Sequence, residues 1–216
     1  MRTYEFEATI EAVPDIDGAF VEVPLDLPRT FGAGRLKVHA TFDGVPYDGS
    51  VVAEKPAADG PDGATTGATG EATPRRRYVI GIRKDIRARI GKQPGDRVAV
   101  TLVCAQLDAP ALTFFQAYRA KVERKGRTRE ELDQVMTWLL GYEAPDLTDE
   151  RLGATSLADW LDRAPAYNPR ADAISGKVCG YDVADISDPT MRRVRQLDKL
   201  VDELAKGRPL ERVLRP

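Results

Sequence analysis

Near residue 107 the spacing of apolar residues changes from every second position to every third or fourth. Tyr4, Phe6, Ala8, Ile10 and Ala12 alternate with Glu5, Glu7, Thr9 and Glu11. Leu36, Val38, Ala40 and Phe42 alternate with Lys37, His39 and Thr41, and Asp43-Gly44 then supplies a hairpin turn. Tyr78, Ile80 and Ile82, and Val98, Val100, Leu102 and Cys104, repeat the pattern. Period two puts one face of a strand in a core and the other in water. Beyond residue 110 the pattern is helical. Phe114, Phe115, Tyr118 and Val122 share one face of a predicted helix. Thr128-Arg129-Glu130-Glu131 is a capping box for a helix burying Leu132, Val135, Met136, Leu139 and Leu140 and stopping at Gly141. Thr148 and Ser156 start two more helices, and Asp188-Pro189 starts the longest, with Met191, Val194, Leu197, Leu200, Val201 and Leu204 inward. A short helix over residues 210–214 closes the chain.

With 216 residues, 42% of them apolar, there is material for two modest cores. The expected fold class is α+β in two domains: a β-barrel over 1–107 and a mainly helical domain over 111–216. Residues 56–74 contain no Val, Ile, Leu or aromatic residue and read as a flexible loop. No apolar run is long enough to span a bilayer. The first twelve residues lack the apolar core of a secretory signal, and two cysteines make no disulfide framework, so a cytoplasmic location is expected.

Two stretches in the first half resemble each other. Val23-Pro24-Leu25-Asp26-Leu27 precedes Gly32, Gly34 and the strand Arg35–Val38. Ile82-Arg83-Lys84-Asp85-Ile86 precedes Gly91, Pro94-Gly95 and the strand Arg97–Val100. Each reads strand, short helix, glycine turn, strand. Such a repeat predicts a double-split barrel with pseudo-two-fold symmetry that closes within one chain.

The segment YVIGIRKDIRARIGKQPGDRVAV, residues 78–100, resembles the strand–helix–turn–strand unit of AbrB/MazE/MraZ-like transition-state regulators. Residues 1–107 as a whole resemble an uncharacterised double-split β-barrel family often found before YdeI/OmpD-associated domains. Tyr4–Ala8, Val23-Pro24, Asp43–Pro46, Arg83–Arg87 and Gly95–Val98 carry that resemblance. Residues 112–215 resemble a bacterial domain of unknown function. The matching stretches include KVERKGRT (121–128), WLLGY (138–142), APAYNP (164–169), GKVCGY (176–181) and LDKLVDELAKG (197–207). This implies a fusion of two uncharacterised domains, with no activity to carry over.

Chemistry-bearing residues are sparse. Cys104, Cys179 and His39 are isolated in sequence, so no metal site and no cofactor are expected. His39 is expected on a solvent face, and Cys104 and Cys179 in cores. No P-loop or dinucleotide fingerprint occurs. The net charge of −2 points to no partner, but residues 75–97 carry nine basic side chains against Asp85 and Asp96. There Arg75–Arg77, Arg83, Lys84 and Arg87 are candidates for phosphate contact. The first repeat offers Leu25, Asp26 and Leu27 in their place, which breaks a two-fold basic surface. In the helical half, Lys125, Arg127, Tyr142, Asn168 and Arg170 are candidates for an anionic ligand, and Cys179 for a reactive thiol. Arg192, Arg193 and Arg195 read as the solvated face of the longest helix. The leading expectation is a non-enzymatic binding or interaction protein. The alternatives are a nucleic-acid-associated regulator using 75–97 and an enzyme with a site near Cys179. No membrane partner is expected.

Overall fold

In a computed structural model of the chain, residues 2–14, 16–54, 64–66, 72–74 and 76–215 are described. They fall into two compact units. One comprises Arg2–Leu27 with Gly34–Cys104; the other comprises Pro28–Ala33 with the chain from Ala105 onward. The segment Pro28–Ala33 thus leaves the contiguous 1–107 module expected from the sequence and counts with the helices.

The first unit is a closed six-stranded barrel. Its strands are β1 (Thr3–Val13), β2 (Gly18–Glu22), β3 (Arg35–Phe42), β4 (Val45–Glu54), β7 (Arg77–Gly81) and β8 (Arg97–Cys104). The order around the barrel is β1-β2-β7-β4-β3-β8, and every pairing is antiparallel. Closure comes from β1 against β8, with Phe6 opposite Val100, so the barrel closes within one chain and has no free edge. In β3 and β8 the alternation holds throughout: Leu36, Val38, Ala40 and Phe42, then Val98, Val100, Leu102 and Cys104, all point inward. In β1 the phase breaks at Ile10, the one residue of that strand that is fully buried. There the strand changes partner from β8 to β2, and Ala12, expected inward, is exposed. Asp43 and Gly44, with φ of 45° and 80°, form the two-residue turn between β3 and β4. Helix α2 (Lys84–Ile90) ends at Gly91, whose φ of 68° allows its amide and that of Lys92 to cap the last turn. Within the stretch read as a loop, β5 (Ala64–Thr66) pairs with β6 (Ala72–Pro74). The remainder of that stretch, 56–63 and 67–71, lies outside the described residues.

The second unit is mainly helical. It holds α3 (Ala105–Asp108), α4 (Ala111–Glu123), α5 (Arg129–Leu140), α6 (Asp149–Gly153), α7 (Leu157–Asp162), α8 (Pro189–Ala205) and α9 (Leu210–Val213). Helix α8 is central, packing against α4, α5, α7 and α9 through the apolar stripe read from the sequence. The predicted N-terminal caps form: Thr128 with Glu131, Thr148, Ser156 and Asp188 each accept an amide of their first turn. Between α7 and α8 lies a two-stranded hairpin, β9 (Lys177–Val178) and β10 (Tyr181–Asp182), which the helical reading did not anticipate. Helix α1 (Leu27–Phe31) begins in the barrel unit, but from Pro28 it belongs with the helices.

Candidate functional site

The basic stretch of the barrel unit folds into ion pairs. Arg83 pairs with Asp85 at 2.8 Å, Lys84 with Asp17 at 2.7 Å, Lys92 with Asp43 at 2.6 Å and Arg97 with Glu7 at 2.5 Å. Arg77 sits among Glu11, Glu22 and Glu54, at 2.6, 3.0 and 3.5 Å. Arg87, proposed from the sequence as a phosphate contact, is only 3% exposed. Its guanidinium donates to Asp17 at 2.9 Å and to Gln93 at 3.0 Å. Hydrogen bonds from Lys84 first, and then from Arg87, hold the Asp17 carboxyl down at about 2. Arg87 is therefore a buried tie between α2 and the turn after β1. Arg75 lies outside the described residues.

In the helical unit Arg127, Tyr142 and Asn168 bond mainly to backbone carbonyls. Arg127 leads into α5 and donates to the carbonyls of Leu204 at 3.1 Å and Arg208 at 2.7 Å, and to Glu131 at 2.8 Å. It thereby places a cation at the C-terminal turn of α8, where the Leu204 carbonyl also accepts the Gly207 amide, and ties down the chain just beyond it. Asn168 caps the C-terminal end of α5. Its side-chain amide donates to Trp138 O at 2.9 Å, its backbone amide to Leu139 O at 2.9 Å, and the amide of Ala166 to Leu140 O at 3.2 Å. Tyr142 stacks on Trp160, with ring centroids 5.1 Å apart, and its hydroxyl donates to Trp160 O at 2.6 Å. Lys125 and Arg170 are exposed.

Cys104 is buried in the barrel, and His39 is on the surface beside Asp48 at 2.6 Å. Cys179, expected in a core, is exposed. The reason is local: Cys179 and Gly180, with φ of 51° and 90°, are the two turn residues of the β9–β10 hairpin. That geometry favours Asn-Gly or Gly-Gly, so a cysteine there gave no turn signal. Among the described residues no three His, Cys, Asp or Glu side chains gather in a way that could hold a metal ion. No helix among them is long and apolar enough to cross a membrane.

The polar groups that sequence reasoning passed over lie on α8. Arg193 donates to Leu161 O at 2.7 Å and covers the Tyr167 ring at 4.6 Å. Arg192 donates to Ile186 O at 2.8 Å. Arg195 donates to Phe31 O at 3.3 Å and to Asp198 at 2.8 Å, and Asp198 accepts from the Tyr118 hydroxyl at 2.7 Å. Burial, reinforced by the Asp198 charge, raises the Tyr118 phenol well above its ordinary range. All three arginines are thus engaged with the fold rather than solvated. A periodicity argument sees only their spacing and not the carbonyls they meet.

Fold and site together define a chain of two domains of unknown function, an N-terminal barrel and a helical C-terminal region. Residues 108–215 match the family described as an uncharacterized protein conserved in bacteria, DUF2200, and residues 6–58 match a domain of unknown function, DUF1905. The chain belongs to the DUF2200 family. It is similar to the crystal structure of the uncharacterized protein SP1917, at 41% identity over 50% of this chain and 89% of that one, with a TM-score of 0.48. Among curated proteins, none matches.

Proposed function

We propose that this chain is a cytoplasmic, non-enzymatic binding or interaction protein. The observation that carries the reading is the use made of the polar candidates in the helical unit. Arg127 and Asn168 cap the C-termini of α8 and α5 from neighbouring segments. Groups committed to backbone carbonyls at and just beyond helix ends hold the unit in one shape and are not free to turn over a substrate.

The barrel reading extends to the double-split, AbrB/MazE-like type. Support comes from the strand order: exchanging β1, β2 and β3 with β4, β7 and β8 returns the same cyclic sequence of neighbours. The nucleic-acid alternative loses support from the ion pairs of Arg77, Arg83, Lys84, Arg87 and Arg97. Their charge is cancelled within the unit before any phosphate arrives. The enzyme alternative, a carboxylate or Cys179-based site in the helical unit, has the exposed Cys179 thiol as a candidate group.

Fluorescence anisotropy with a labelled duplex and a labelled single strand, at low and moderate salt, tests the choice. The expected result is no saturable binding at about 0.15 M salt with protein up to roughly 10 µM, beyond the weak association any basic patch shows. Saturable binding at moderate salt that steepens as salt falls would establish the regulator reading instead.

A further inference from the structure

We draw no further inference here: the strongest candidate, the exposed Cys179 thiol in the turn of the β9–β10 hairpin, is a lone cysteine beside which no second feature among the described residues points to a ligand or a reaction.

Discussion

Gly141→Val is expected to destabilise the helical unit by about 3–5 kcal/mol, enough to unfold it in part of the population at room temperature. Two effects add. Gly141 has a φ of 75°, a region that costs a residue with a side chain roughly 1–2 kcal/mol. A Cβ at this position would also lie 2.6 Å from Ala166 Cβ and 2.7 Å from the Ala166 amide nitrogen, and backbone cannot retreat as a flexible side chain would. The Ala166 amide caps Leu140 O, so displacing it also frees the end of α5. Gly126→Ala, in the same unit, is the control. Gly126 has a φ of 73° but no atom within 4 Å of its Cβ position, so only the conformational cost of about 1–2 kcal/mol is expected. Urea unfolding separates the two effects. Both tryptophans, Trp138 and Trp160, lie in the helical unit, so their emission follows that unit. Equal losses for the two variants would mean that the approach of Ala166 to Gly141 carries no energy.

Ile80→Ala is expected to cost the barrel about 2–5 kcal/mol, and Ile80→Val about 1 kcal/mol. Ile80 stands on β7 opposite Val21 of β2 on one side and Val51 of β4 on the other, and none of the three is exposed. Truncation leaves a cavity at the point where two strand pairs meet, and a closed barrel cannot easily collapse around it. Backbone amides of β7 and β8, followed by NMR through urea, report the loss without interference from the helical unit. A change below about 1 kcal/mol for Ile80→Ala would show a loosely packed barrel interior.

Both domains were legible where one local rule decided the outcome. The alternation of β3 and β8 follows from side chains alone, because each strand keeps one face inward for its whole length. The capping box at Thr128 and the Asp188-Pro189 start of α8 are encoded within four residues. Failures came where distant chain decides. Arg87 follows Ile86 on a seven-residue helix and looks solvated; its burial depends on Asp17, 70 positions away in sequence. Ile10 ends a clean alternation because β1 changes partner there, which no local pattern records. Pro28–Ala33 reads as the helix of a barrel repeat, yet its carbonyls are answered by Ser187, Asp188 and Arg195. The candidate site was read by residue type alone, and residue type does not separate an arginine that awaits an anion from one that caps a helix.

That distinction underlies the whole account, and Arg127→Met tests it most directly. Methionine keeps much of the aliphatic stem and removes the donors to Leu204 O, Arg208 O and Glu131. With three hydrogen bonds from a mostly buried cation lost, tryptophan-detected urea unfolding is expected to show the helical unit weakened by about 2 kcal/mol. A side chain held ready for a ligand behaves in the opposite way, because its removal relieves an unfavourable charge. Unchanged or increased stability in Arg127→Met would contradict the claim that the polar groups of this unit serve its fold.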